Sequence, residues 1–195
     1  MNTLVLASGS PRRLQLLESF GYACTVIKST IEETMDETMS PEHIAQELAL
    51  SKAQDVQRTL DEPRVILAAD TLVSQNGRLF GKPGTIDEAR ACLQLFSGSV
   101  HQVTTGVAIC DGSQQQLFYQ TTDVEFWRLT EEDIERYIST KEPYDKAGGY
   151  GIQGMGGLFV KSIKGDYYTV VGLPIAAVYR HLKDFGCLPL VSVDN

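Results

Sequence analysis

Two arginines directly after a Ser-Gly-Ser-Pro turn are the first residues of this chain with an evident chemical use. They stand in Ser8-Gly9-Ser10-Pro11-Arg12-Arg13, behind the apolar run Leu4–Ala7. A strand that feeds a small-residue loop opening a helix brings free N–H groups and the positive helix end to one point, which suits an anion. Two arginines in a first helical turn oppose the dipole unless an anion offsets them, and arginine grips phosphate oxygens bidentately. The plain alternative is an exposed, solvated helix start. The run is not a Walker loop, which needs GxxxxGK[ST].

Asp70 is the second candidate. It follows Val-Ile-Leu-Ala-Ala, and a carboxylate at the end of a buried strand is costly unless it binds metal, pairs with a cation or works as a base. In open α/β sheets ligands gather at the carboxyl ends of strands. An Asp that merely caps the next turn is the competing reading. Lys82 in Gly81-Lys82-Pro83 and Lys146 in Asp145-Lys146-Ala147-Gly148 stand beside residues that allow close backbone approach, so either can offer a point charge to phosphate. Each also reads as a solvated loop lysine, and Lys52, mid-helix, reads as a surface lysine. Glu32-Glu33, with Asp36 and Glu37 nearby, could supply a hard-cation ligand, or be a solvated acidic loop. Gln153 in Gly151-Ile152-Gln153-Gly154 carries an amide that donates and accepts together, which suits a base edge as well as a polar turn.

Other chemistries find little support. His43, His101 and His181 share no motif. Cys24, Cys92, Cys110 and Cys187 show no metal-ligand spacing and read as free thiols of a reducing compartment. There is no GxSxG elbow and no GxGxxG opening a helix after a strand. The formal net charge of −8 argues against nucleic acid polymers and anionic membranes, while a small polyanion needs only local cations. The start of the chain lacks a basic region and a long apolar run, and no stretch approaches the roughly 18 apolar residues of a membrane span. The protein is expected to be cytoplasmic.

The elements that must position these groups follow from caps and periodicity. With 195 residues, 43% of them hydrophobic, residues 1–195 are expected to form a single domain. Leu4–Ala7 reads as a buried strand, and Ser10 and Pro11 as the cap and first residue of a helix with Leu14, Leu17 and Phe20 on its apolar face. Cys24–Ile27 suggests a second strand. Ser40-Pro41 repeats the cap, and Ile44, Leu48, Ala49, Ala53, Val56 and Leu60 line one helical face. Val65–Ala69 is a buried strand ending in Asp70-Thr71 and continued by Leu72-Val73, and Asn76-Gly77 is a hairpin signal. Thr85 to Glu88 reads as a capping box before a helix with Ala89, Leu93 and Phe96 buried. His101–Cys110 and Leu117–Trp127 are β-rich, Thr130 caps a helix to about Thr140, and residues 145–157 are glycine-dense. Strands are expected near Leu158–Ile163 and Tyr167–Val171, then a helix from Leu173-Pro174 to about Phe185. The order indicates an α/β fold with a mixed, twisted sheet and flanking helices.

LASGSPRRLQLL, AADT at 68–71, GKP at 81–83, DKAGGYGIQG at 145–154 and VVGLP at 170–174, in that order, resemble the Maf family of nucleotide pyrophosphatases. The resemblance implies a fold like the inosine-triphosphate pyrophosphatases, two lobes around a cleft. It implies hydrolysis between the α and β phosphates with a divalent cation, Mg or Mn. It makes Ser8, Arg12 and Arg13 phosphate contacts, Lys52 and Lys82 cleft lysines, Asp70 the catalytic acid that activates water, and Glu33 a metal ligand with Asp70. Arg12, Thr71 and Gln153 resemble the discriminating residues of the branch acting on dTTP and UTP. A sister branch is similar to 7-methyl-GTP pyrophosphatases. A homodimer is a family-level expectation. The family is also linked to septum formation, so a non-catalytic nucleotide-binding regulator of division is the alternative expectation.

Overall fold

The computed structural model describes residues 4–32, 34–36 and 38–190. The chain divides into two compact units. The first comprises residues 1–70, 105–119 and 172–195, and the second 71–104 and 120–171. The strands are β1 (Leu4–Leu6), β2 (Cys24–Val26), β3 (Ile66–Gln75), β4 (Arg78–Phe80), β5 (Val100–Cys110), β6 (Gln115–Phe126) and β7 (Val160–Lys164). The helices are α1 (Pro11–Ser19), α2 (Pro41–Gln57), α3 (Ile86–Phe96), α4 (Glu131–Ile138), α5 (Tyr167–Val171) and α6 (Ile175–Asp184). The sheet runs β2-β1-β3-β5-β6-β7, with β4 paired to β3. β1 is parallel to β2 and β3, whereas β3–β4 and β6–β7 are antiparallel. This is the mixed α/β sheet with flanking helices that the sequence indicates. Among the described residues no helix is long and apolar enough to cross a membrane.

In the first unit Val5, Ala7, Ile66 and Ala68 share a core with Ala49, Ala53 and Val56 of α2. Leu4, Leu6, Leu67 and Ala69 alternate with them along the strands and are buried as well. Both faces of β1 and of the first half of β3 are therefore covered, which explains their unbroken apolar runs. The second unit packs Val73, Phe80, Leu93, Phe96, Val124, Phe126, Tyr137, Tyr150 and Phe159 into a separate core.

Several expectations need correction. Phe20 lies past the end of α1 and is exposed, because the helix ends at Ser19 and Leu16 with Leu17 forms its buried face. Ser10 starts α1 without a side-chain cap; its own N–H donates instead to Ser8 Oγ at 3.2 Å. Thr85 does cap α3, but the Glu88 carboxylate takes the Gly84 N–H at 2.7 Å, so the box is not reciprocal. The reciprocal box is at Thr130 and Asp133 of α4. Tyr167–Val171 is helix α5, not a strand: Asp166 accepts from Tyr168 N–H (3.3 Å) and Thr169 N–H (2.9 Å), an N-terminal cap that overrides the β preference of Tyr, Thr and Val. β3 runs on past Asp70 through Leu72-Val73, as the sequence indicates, and reaches Gln75 before turning at Asn76-Gly77 with both residues at positive φ.

Candidate active site

The first group of candidate residues lies in the first unit. Parallel pairing sets Leu6 opposite Leu67, and Ala7 N–H donates to Leu67 O at 2.8 Å. Continued by two residues, that register brings the backbone at Ser8 level with Ala69, one position before Asp70 and about one strand spacing, roughly 4.8 Å, away. The Ser8 loop and Asp70 thus share the carboxyl end of β1. Asp70 sits mid-strand in β3, but it lies beyond the end of β1 because β3 outruns its parallel partner.

Arg13 braces this loop. It is buried, its Nε donates to Gly172 O at 2.8 Å and its Nη1 to Ser8 Oγ at 3.0 Å. Ser8 is buried and accepts from Arg13 and from Ser10 N–H. Arg12 precedes it on α1, half-buried. Opposite, the Lys52 ammonium pairs with Asp70 Oδ1, the side chains being 13% and 11% exposed. A carboxylate this far from water needs such a counter-charge, so Lys52 is no surface lysine. α2 delivers it from the face beside Ala49 and Ala53.

Metal chemistry can be tested against the donor set. Among the described residues no group of three or more His, Cys, Asp or Glu side chains could hold an ion. The expected ligand Glu33 lies outside the described residues. Mg²⁺ takes one or two carboxylates when substrate phosphates complete its shell. Asp70 fits a cation brought in with phosphates and does not fit a cage made by protein alone.

The second group lies in the second unit. Thr71 follows Asp70 on β3, half-buried. Gly148 N–H donates to Gly81 O at 3.0 Å, which pins the Lys82 loop to the segment after Lys146. Lys82 is exposed, while Lys146 reaches back to Glu142 O at 3.0 Å and pairs with Asp145. Gln153 is exposed in a tight turn closed by Gly154 N–H to Gly151 O at 3.2 Å.

Glu142, Tyr137 and Lys28 escaped sequence reasoning, and His101 was named there only as lacking a motif. Glu142 accepts from Met155 N–H (2.9 Å), Gly156 N–H (3.1 Å) and Tyr137 Oη (3.0 Å). Burial opposes ionisation of its carboxyl, but the hydrogen bonds from Gly156, Met155 and Tyr137, with Lys146 nearby, outweigh it and hold the group below the usual range. Burial, aided by the Glu142 charge, pushes the Tyr137 phenol up, so it remains a donor. A Cβ on Gly154 would sit 2.4 Å from Glu142 Oε2, so that glycine makes room for the acid rather than for a ligand. Glycine density announces such an approach without naming the partner. Lys28, past the end of β2, lays its stem 3.4 Å from where a Gly9 Cβ would stand. His101 is fully buried, stacked on Phe96 at 4.2 Å, with Nε2 2.8 Å from Tyr150 Oη.

Comparison with known proteins gives a consistent picture. Residues 3–185 match the family described as Maf-like protein. The chain is 50% identical over 185 residues to a dTTP/UTP pyrophosphatase of Bacillus cereus, covering 95% of this chain and 96% of that one. It is 53% identical over 186 residues to a dTTP/UTP pyrophosphatase of Halalkalibacterium halodurans, covering 95% and 97%. Among solved structures, a HAM1 protein from Coxiella burnetii aligns over 66% of this chain and 75% of that one, with 19% identity and a TM-score of 0.45.

Proposed function

The chain belongs to the Maf family, and from that premise we propose that it hydrolyses dTTP and UTP to the monophosphate and pyrophosphate. The observation that carries the reading is the buried Lys52–Asp70 pair beside the Ser8 loop braced by Arg13. The Ser8–Ser10 loop at the start of α1 and Arg12 take phosphate oxygens, while Arg13 keeps the loop in shape. Asp70 accepts a proton from a water that attacks the α phosphorus. The bond from that phosphorus to the bridging oxygen breaks, and pyrophosphate leaves. Lys52 orients Asp70 and balances its buried charge. Nearby cations stabilise charge developing on the leaving group.

A divalent cation, Mg or Mn, belongs to this reading. Asp70, with Glu33, would hold it, and when bound it supplies charge neutralisation and a more acidic water. Lys82 and Lys146 are proposed as further phosphate contacts, and Thr71 and Gln153, with Arg12, as the residues that select the pyrimidine nucleotide. The reading further takes the enzyme as cytoplasmic and homodimeric, acting on free nucleotides rather than nucleic acid polymers or membranes.

The test is pyrophosphate release by the purified chain with Mg²⁺ or Mn²⁺ across dTTP, UTP, CTP, GTP and 7-methyl-GTP. Preferential release from dTTP and UTP supports the reading. Release from 7-methyl-GTP alone moves the chain to the sister specificity, and no release from any nucleotide defeats the enzyme assignment.

A further inference from the structure

Glu142 lies outside every motif that suggested chemistry, yet it organises the segment that carries Gln153. Its backbone N–H donates to Thr140 Oγ1 at 3.2 Å just after α4, which sets the acid at the start of the glycine-dense stretch. Its side chain then reaches thirteen and fourteen residues ahead, to the N–H groups of Met155 and Gly156. Tyr137, 1% exposed, adds its hydroxyl from α4. Its carbonyl takes the Lys146 ammonium. One residue therefore fixes the helix end, the Lys146 side chain and the backbone two and three residues after Gln153.

Gln153 has no comparable support of its own. It is exposed in a turn of four residues closed by the bond from Gly154 N–H to Gly151 O, while Gly151 N–H donates to Tyr137 Oη and Gly157 N–H to Gly154 O. Such a turn, with glycine at both ends, has a large conformational entropy to lose. The three donors on the Glu142 carboxylate offset that entropy, since hydrogen bonds to a charged group are about twice as strong as neutral ones. The carboxylate lies where a side chain on Gly154 would have to stand, so only glycine fits this arrangement at that position.

We propose that Glu142 is a positioning residue for nucleotide selection: its carboxylate, bonded to Tyr137, Met155 and Gly156, holds Gln153 where it reads the pyrimidine edge. This rests on the proposed function, and specifically on Gln153 as a selecting residue. Glu142 does not touch the nucleotide; it acts through the turn. A merely structural Glu142 would lower turnover of every nucleotide alike when removed, whereas a positioning residue lowers discrimination.

The test is a double-mutant cycle. The ratio of kcat/KM for dTTP over CTP is measured for the unaltered chain, Glu142→Gln, Gln153→Ala and the pair, with thermal unfolding followed in parallel. Glu142→Gln should lower the ratio about tenfold, the size of one lost oriented hydrogen bond. On the Gln153→Ala background the same change should move it less than about twofold, because coupled residues are not additive. Tyr137→Phe, which removes one donor and keeps the ring, should lower the ratio by an intermediate amount and serves if Glu142→Gln does not fold. An unchanged ratio, or an equal drop in both backgrounds, overturns the inference while leaving the pyrophosphatase reading intact. If the unaltered chain discriminates but Gln153→Ala keeps the full ratio, the role of Gln153 fails and this inference with it. If the unaltered chain releases no pyrophosphate, the underlying reading fails instead.

Discussion

Asp70 and Lys52 form an ion pair in which each side chain is about one-tenth exposed. Removing one partner of such a pair leaves a buried charge without compensation, at a cost of about 3 kcal/mol. Lys52→Met is expected to lower unfolding stability by that amount and to cut turnover at least about a hundredfold, the latter because Asp70 loses its orientation. Asp70→Asn is expected to abolish turnover and to cost a similar amount of stability, since it takes the Asp70 counter-charge from the buried Lys52 ammonium. Adding Asp70→Asn to Lys52→Met should recover part of the lost stability and none of the activity. Chemical denaturation with pyrophosphate assays on the three variants checks this, and a double variant less stable than Lys52→Met would contradict the pairing argument. Asp70 was legible in the sequence because an acid after five apolar strand residues demands a reason. Lys52 was not, because its partner lies eighteen residues away and nothing in a helical lysine announces which face it occupies. Glu142 was hidden for the same reason, as its partners follow it by thirteen and fourteen residues. Glu33, named as a metal ligand, lies outside the described residues.

Between elements, a close approach in the first unit is at Gly106 of β5. A Cβ there would lie 2.3 Å from the carbonyl carbon of Ala45 and 2.5 Å from Gln46 N, both backbone atoms of α2. Backbone cannot rotate aside as a side chain can, so Gly106→Ala must push the helix that carries Lys52 away from the strand. Overpacking of this kind costs about 1–3 kcal/mol. The variant should unfold earlier by that margin and lose activity more than its stability alone explains, because a displaced α2 also moves the ammonium. Full activity with an unchanged melting temperature would show that α2 and β5 are farther apart than described. A glycine inside a β-rich run is a readable sign of close approach, and Gly106 carries that sign without telling which element arrives. The helices of high contrast, α2, α3 and α4, were legible from caps and periodicity. α5 was not, since Asp166 caps it through a turn that reads equally well as a hairpin. The reach of β3 past Asp70 depends on pairing with β4, which the Asn76-Gly77 turn did announce.

For the molecule as a whole, pH dependence follows from His101. Burial pulls its pKa down to about 4 from the ordinary 6.5. Its Nδ1 has no hydrogen-bond partner among the described residues, and Phe96, Phe126 and Tyr150 surround the ring. The folded chain keeps this histidine neutral, while the unfolded chain protonates it below about pH 6.5. Stability from this group is therefore full above pH 6.5, falls as pH drops from there to about 4, and levels off below that. Over that window the loss amounts to about 3 kcal/mol. Urea midpoints measured between pH 7 and pH 4.5 should fall, and His101→Gln should flatten the slope. A His101→Gln variant with the same slope would assign the acid sensitivity elsewhere.

The bond from Arg13 to the carbonyl of Gly172 joins positions 159 residues apart. On the ribosome, the amino-terminal loop emerges first and its brace emerges late. Until Gly172 clears the exit tunnel, that arginine lacks this one of its bonds. A copy that stops short of Gly172 therefore lacks this brace on the loop.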